Sequence, residues 1–392
     1  MQQVVSSEEL LAAALQVYEQ GKHPLTAMFG RDETLNGAGY AIYCCFEVPE
    51  KRDVHIVKGV FSAEGPLSYE SLTHAIPAAA WYEREIHDMF GLVPEGHPDL
   101  RPLVLHESFP EDFHPLRKSV AVNAKVRGER KFKIRTAKGQ GLFQVPVGPI
   151  HAGIIEPGHF RFSQAGEAML QLDAKLFFTH RGIEKAVEGK TPEEALHIVE
   201  RICGACSVAN TWSFCQAVEK AAGVAVPRRA EIIRTLLSEL ERITNHVGDL
   251  GNMPAGVGFN PAISLGSRLK EQLMRLCEAV AGNRFLRGVI VPGGVRQDIT
   301  PELIEHIHEV MDATAQGVED LAAMFREQEN FQNRVRTTGI IRNQTAKDLA
   351  MVGVGARASG YAHDSRKDFA YGVYPELGFE PYTMTMGDVA AR

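Results

Sequence analysis

The sequence predicts an α+β fold: a small N-terminal α/β domain, then a mainly helical bundle domain that carries a small antiparallel sheet. Three observations predict it. Segments rich in β-branched and aromatic residues crowd the first part of the chain. A hairpin pattern turns at Ala165-Gly166. Beyond it, apolar residues recur at helical spacing behind proline-marked helix starts.

Taken in order, Ser6-Ser7-Glu8-Glu9 is a capping-box signal and opens a helix that should stop at Gly21. Ala38–Val48 and Asp53–Phe61 read as strands, and Pro77–Phe90 as a helix ended by Gly91. This first domain spans residues 1–122. Residues 123–140 form a basic linker. Within it Lys125, Arg127, Arg130, Lys131, Lys133, Arg135 and Lys138 face one acid, Glu129. Such a block reads as a solvated linker, or as a stripe that docks on an acidic partner or anionic lipid.

The second domain spans 141–392. Gly158–Gln164 and Glu167–Asp173 should form the hairpin. Thr191-Pro192, Asn260-Pro261 and Thr300-Pro301 each pair a capping residue with proline at the first helical position. A further helix starts at Pro227. In it Ile232, Ile233, Leu236, Leu237, Leu240, Ile243, Val247 and Leu250 follow a helical period, with Gly251 as its stop. The Thr300 helix carries Leu303, Ile304, Ile307, Val310, Met311, Val318 and Leu321 on the same logic. These helices should pack as a bundle.

Bulk properties exclude several classes. The 392 residues are 44% hydrophobic and 23% charged, an ordinary globular balance long enough for two or three domains. A net charge of −7 and a pI near 6.1 give no case for nucleic acid as partner. Six scattered cysteines do not make a disulfide framework. Neither a signal peptide nor a membrane span is predicted, so at a membrane a partner must hold the chain there.

The sharpest local signal is Arg201-Ile202-Cys203-Gly204-Ala205-Cys206-Ser207, between a helix from Thr191 and one that stops at Gly223. A Cys-x-x-Cys at a helix start puts two thiols within reach of one metal. The helix N-terminus and Arg201 should favour the thiolate, the form that ligates. Soft thiolates select zinc, copper(I), iron–sulfur or nickel. Two buried small residues or a thioredoxin-like pair are the competing readings, though no βαβ pattern surrounds the motif. Cys215 lies half a helical turn out of phase with Cys206 and should face away. Cys277 stands on another helix and reads as core.

Here the residues resemble a known family. Glu200 to Ser207 resembles the N-terminal cysteine motif of nickel–iron hydrogenase large subunits. Gly148-Pro149-Ile150-His151, Glu156-Pro157-Gly158-His159-Phe160-Arg161-Phe162 and His180-Arg181-Gly182-Ile183-Glu184-Lys185 resemble upstream motifs of the complex-I-related group. Gly256 to Arg268, Gly282 to Gly294 and Arg357-Ala358-Ser359-Gly360 continue the likeness. Trp81 to Glu85, Asp88 to Gly91, Gly96 to Arg101 and His114 to Lys118 resemble the 30-kDa subunit of complex I. Joined in one chain, the halves resemble the large subunits of the formate hydrogenlyase and hydrogenase-4 type. The resemblance therefore implies a 30-kDa-like domain followed by a domain like the 49-kDa subunit and the hydrogenase large subunit.

The resemblance implies a nickel–iron centre held by four thiolates, with Cys203 a terminal nickel ligand and Cys206 a bridge to iron. It implies heterolytic splitting or formation of dihydrogen, with Glu156 taking the proton onward. Partial burial there would raise a carboxylate's pKa toward neutrality. Glu184 matches a carboxylate associated with magnesium in some members, or is a salt-bridge residue beside Lys185 and Arg181. His151 matches a quinone-contacting histidine, here a relic or a plain hairpin histidine. Implied partners are an iron–sulfur small subunit that holds the clusters, a ferredoxin-like subunit, membrane subunits of a complex-I-like assembly, and maturation proteins. The implied location is cytoplasmic, peripheral on the inner face of the cell membrane.

Two departures stand out. Asn210 occupies the position where the family has histidine beside the metal; an amide also donates to a thiolate. The family's C-terminal Cys-x-x-Cys is absent, which leaves two thiolates where four are expected and reads as truncation or loss of the metal, truncation being favoured. The competing function is a non-hydrogenase subunit of a complex-I-like NADH–quinone oxidoreductase. A zinc-binding structural protein is weaker, because only two of four ligands can be named.

Overall fold

The computed structural model describes residues 2–21, 23–130, 133–151 and 156–392. Lys131 of the basic segment lies outside the described residues. The chain divides into two compact units, Met1–Ala186 with Lys347–Met351, and Val187–Ala346 with Val352–Arg392.

The first unit opens with β1 (Gln2–Ser6), α1 (Leu10–Gly21), β2 (Leu25–Asp32), β3 (Tyr40–Val48) and β4 (Asp53–Phe61). The sheet order is β1-β4-β3-β2; β1 runs parallel to β4 and the other pairs are antiparallel. Sequence pattern predicts α1, β3 and β4 but neither β1 nor β2. The first is only five residues long, and the second is interrupted by Gly30. Before α1, the backbone N–H and hydroxyl of Ser6 both donate to Glu9, at 3.1 and 2.9 Å.

Next come β5 (Ser68–Glu70), α2 (Ala79–Phe90) and β6 (Val93–Glu95), which pairs in parallel with β5. Gly91 ends α2 in the left-handed conformation, φ 75°. Gly30 is needed where α2 crosses β2: a Cβ there would lie 2.6 Å from the Phe90 ring. Buried Asp88 of α2 accepts from the backbone N–H groups of Leu103, Val104 and Leu105, at 2.8, 2.8 and 3.1 Å, and from Arg130 at 3.3 Å. These bonds wrap the segment after α2 back onto the helix.

That network corrects the reading of the basic segment as a solvated linker. Arg130 is buried and also donates to the carbonyls of Pro110 and Glu111. The Arg135 guanidinium pairs with Asp99 at 3.2 Å, and its backbone N–H donates to Asp173. The acidic surface that these residues meet is this chain's own, while Lys125, Arg127 and Lys138 stay exposed.

The antiparallel sheet of β7 (Phe143–Val147), β8 (His159–Ala165) and β9 (Ala168–Lys175) turns at Gly166, as the hairpin pattern predicts. It belongs to the first unit. Arg101 bonds Asp173 at 2.9 Å, and His106 bonds the Leu176 carbonyl at 2.9 Å. The compact units thus part near Ala186. Short α3 (Ile183–Ala186) closes this unit's main stretch.

The second unit holds α4 (Pro192–Val199), α5 (Ser207–Ala222), α6 (Arg228–Asn252), α7 (Asn260–Ala281), the two-stranded hairpin β10 (Ile290–Val291) and β11 (Gly294–Val295), α8 (Pro301–Glu327) and α9 (Glu329–Val335). Thr191 caps α4 in a full capping box with Glu194, and the Thr300 hydroxyl accepts from Leu303 N–H. Asn260 does not act as the expected cap. The helix already includes it, Phe259 holds the cap position, and no side chain caps the end.

Ile233, Leu237 and Leu240 of α6 pack with Leu276, Cys277 and Val280 of α7 and Ile307 of α8. Ile232 and Ile304, predicted in the same stripes, are 41% and 37% exposed, because the apolar arc is wider than the covered face. Arg234 of α6 is buried and forks onto Glu219 of α5, at 3.1 and 2.6 Å. It also donates to the carbonyls of Val291 and Gly294, so one guanidinium joins two helices and the β10–β11 hairpin.

Gly251 is not the helix stop that its residue type suggests. The helix runs on to Asn252, and Gly251 meets Gly266 of α7 backbone to backbone; a Cβ on Gly266 would lie 2.2 Å from the Gly251 Cα. Alanine at 266 would gain about 1 kcal/mol of helix propensity. Overpacking against backbone, which cannot rotate away, costs about 3 kcal/mol or more and wins. Gly266→Ala should therefore destabilise the protein by about 2 kcal/mol in urea denaturation. Gly256→Ala, with nothing within 4 Å of the new methyl, should change little.

Candidate metal centre

The loop from Glu200 to Cys206 joins α4 to α5 in the second unit. Cys206 sits at the cap position of α5 (φ −131°, ψ 49°) and makes no side-chain cap bond. The Cys203 thiol is close enough to that of Cys206 to oppose its ionisation. The backbone N–H of Ala205 points at the Cys203 sulfur, 3.4 Å. The Asn210 amide, one helical turn beyond Cys206, donates to its carbonyl at 2.8 Å and to its sulfur at 3.4 Å. Asn210 thus does what an amide in place of histidine was expected to do.

Apolar packing does not hold this loop, since residues 201, 202, 204 and 205 are exposed. Polar bonds hold it. Buried Glu200 accepts from Gly288 N–H at 2.6 Å, and Arg287 donates to the Ser207 hydroxyl at 3.1 Å. Glu241 of α6 accepts from Val208 N–H at 2.7 Å and Ala209 N–H at 3.1 Å. Asn245, one turn along α6, donates to the Ala205 carbonyl at 2.7 Å. Sequence reading missed Glu241 and Asn245. Nothing in the sequence marks them out among the many polar residues of α6.

The electrostatics differ from the sequence expectation. Burial pushes the Cys206 thiol up to about 12, and the neighbouring Cys203 thiol and Glu241 carboxylate push the same way. The reason is geometric. Arg201 donates to the His197 carbonyl and to Glu200, and the first free N–H groups of α5 are taken by Glu241. The thiolate form at Cys206 therefore calls for a cation beside it. Burial also raises the Glu241 carboxyl, partly offset by its two backbone bonds.

A half-open cavity of about 90 Å³ lies behind the loop, lined among others by Gly204, Glu241, Asn245, Lys270, Cys277 and Arg284. Cys277 is buried in the core at its edge, 3.8 Å from the Thr244 hydroxyl. Cys215 is fully buried in the core. Among the described residues, no three His, Cys, Asp or Glu side chains converge to hold a metal ion. The soft donors here are a pair.

The other candidate residues belong to the first unit. His151 bonds the Gly158 carbonyl at 2.7 Å and tilts against Phe160, the geometry of a hairpin histidine. Glu156 is exposed, not the partly buried carboxylate expected, and accepts from the Thr179 hydroxyl at 3.5 Å. Glu184 is half exposed and pairs with His180 at 3.9 Å, while Lys185 donates to the Arg117 carbonyl. Among the described residues no helix is long and apolar enough to cross a membrane.

Comparison with known proteins divides the chain among three family models. Residues 3–126 match the 30 Kd subunit of respiratory-chain NADH dehydrogenase. Residues 181–249, which include both thiols, match nickel-dependent hydrogenase. Residues 257–392 match the 49 Kd subunit of respiratory-chain NADH dehydrogenase. The chain is 34% identical over 383 residues to hydrogenase-4 component G of Escherichia coli, covering 96% of this chain and 66% of that protein. It is 32% identical over 382 residues to formate hydrogenlyase subunit 5 of the same organism, covering 96% and 67%. It spans about two thirds of the length of these relatives. A solved structure of the membrane-bound sulfane sulfur reductase, an archaeal respiratory membrane complex, is similar with a TM-score of 0.61 at 27% identity; the match covers 64% of this chain and 68% of that one.

Proposed function

This chain belongs to the complex-I-related family of nickel–iron hydrogenase large subunits, with 30-kDa-like and 49-kDa-like segments fused, and we propose that it is the catalytic large subunit of a membrane-associated nickel–iron hydrogenase. The observation that carries the proposal is the thiol pair of Cys203 and Cys206 at the α5 start, with the Asn210 amide on one sulfur. Soft, adjacent and partly exposed donors fit one half of a four-thiolate nickel site. Once bound, the nickel–iron centre supplies heterolytic cleavage or formation of dihydrogen.

This chain's own residues would then act as follows. Cys203 and Cys206 would hold the nickel–iron centre through their sulfurs. Asn210 would tune the Cys206 sulfur by its hydrogen bond. Glu156, exposed and bonded to Thr179, would hand on the proton, and Glu184 with His180 would be the place for a magnesium ion. Electrons would pass to an iron–sulfur partner subunit, because six cysteines do not suffice for a chain of clusters. Membrane subunits of a complex-I-like assembly would hold the protein at the inner face of the membrane. Residues 1–122 and 141–392 would be two modules joined by 123–140, a division by family likeness rather than by compactness; the match to the 30 Kd subunit, which ends at 126, supports its first boundary.

The alternative, a scaffold subunit of a complex-I-like NADH–quinone oxidoreductase, has no use for thiols at 203 and 206. The test is nickel and iron quantified in a version of the protein that also carries the family's C-terminal Cys-x-x-Cys, purified together with its maturation system, with dihydrogen-driven dye reduction as the second readout. Bound nickel with dye reduction is expected. Metal-free protein with neither would overturn the hydrogenase reading and leave the scaffold.

A further inference from the structure

A helix start leaves its first N–H groups without intrahelical partners, and the residue at the cap position ordinarily supplies the acceptor. At α5 that position is Cys206. It makes no such bond, and a thiol is a weak acceptor. The acceptor comes instead from another helix: both oxygens of Glu241 on α6 take the Val208 and Ala209 N–H groups. One turn further along α6, Asn245 donates to the Ala205 carbonyl in the middle of the Cys-x-x-Cys loop. Asn245 also donates to the Glu241 backbone carbonyl at 2.9 Å, which holds its side chain on the face that carries Glu241. With residues 201, 202, 204 and 205 exposed, no apolar packing does this work.

We propose that Glu241 and Asn245 are positioning residues for the thiol pair. Together they form a helix cap delivered from α6, which frees the cap position to hold a metal ligand. Glu241 carries a charge as well as geometry, and a carboxylate suits the positive end of the α5 dipole. Asn245 sets the height of the loop between the two sulfurs. The inference rests on the metal-site reading for its purpose, but its geometry is testable without metal.

The experiment has two arms on the whole chain. In the metal-free protein, amide hydrogen exchange is read at Val208 and Ala209, and alkylation rates at Cys203 and Cys206. Glu241→Ala should speed exchange of those two amides by about tenfold or more, the range of a lost charge-assisted bond. Glu241→Gln, which keeps one acceptor oxygen, should fall between. Asn245→Ala should raise the alkylation rates and leave the two amides nearly as they were. Circular dichroism and urea midpoints identify any variant that fails to fold, and the glutamine variant then carries the test. In a version that also carries the family's C-terminal Cys-x-x-Cys and is matured with nickel, Glu241→Ala and Asn245→Ala should lower bound nickel, with partial recovery in Glu241→Gln. Unchanged exchange at Val208 and Ala209 in Glu241→Ala would overturn the cap. Changed exchange with full nickel and an unaltered nickel paramagnetic spectrum would overturn the positioning role. Wild-type protein that binds no nickel, with the exchange result as expected, would sink the metal reading and leave the cap standing.

Discussion

In a version that also carries the family's C-terminal Cys-x-x-Cys, serine in place of Cys203 or Cys206 should remove nickel from the matured protein and, with it, dihydrogen turnover. Even partners outside the ligand set change metal affinity by about 10–100-fold. Loss of a direct thiolate should exceed that, on the order of 100-fold or more. The fold should hardly notice. Both side chains are partly exposed at a loop held by Glu200, Arg287, Glu241 and Asn245, none of which uses sulfur. The Asn210 amide can donate to a serine hydroxyl as it does to the sulfur. The comparison that isolates the effect is Cys215→Ala. That thiol is fully buried in the core, so its loss should cost about 1 kcal/mol of stability and no nickel. Nickel content by elemental analysis, beside urea denaturation of the same samples, separates the two. Nickel retained at wild-type level in both serine variants would end the metal assignment.

Arg234→Met should be the most damaging single change to stability. Its guanidinium is 1% exposed and Glu219 is 6% exposed. The substitution strands a buried carboxylate that would keep only the Gly293 N–H as a partner, at 2.7 Å. It also removes the guanidinium donor from the Val291 and Gly294 carbonyls. Breaking one side of such a pair costs about 3–5 kcal/mol, mostly the penalty of the charge left behind. The double variant Arg234→Met with Glu219→Leu removes that charge. It should be less destabilised than the sum of the two singles by about 1–3 kcal/mol. Urea denaturation of the four proteins tests this. Additive losses would mean that the ion pair is not the joint between α5, α6 and the β10–β11 hairpin.

The two predictions draw on different kinds of legibility. The thiol pair was visible in the sequence because two cysteines three residues apart sit beside a helix signal, and local spacing alone brings such groups together. The same holds for α1 after its capping box, the turn at Gly166, the Thr191 cap and the apolar stripes of α6 and α8. Arg234 was silent. An arginine inside a helical stripe reads as exposed until Glu219 and the hairpin carbonyls are seen around it. Gly251 misled for a similar reason: a glycine after an apolar stripe signals a stop, but here it clears space for Gly266 on a helix that follows in sequence.

The residues by themselves therefore determined the principal helices, the strands β3, β4, β8 and β9, the helical faces, the Cys-x-x-Cys with Asn210 one turn on, and the family to which such motifs belong. All of these depend on neighbours within about one helical turn. The tertiary structure alone decided how the thiol loop is held, by Glu241 and Asn245 from α6, and why Cys206 resists ionisation, with burial acting and Arg201 turned toward Glu200. It also decided that much of the basic segment binds the chain's own Asp88, Asp99 and Asp173. The physical reason is common to all three. A charge or a polar group takes its partner from whatever the packed fold brings within about 3 Å, and that partner is distant in sequence.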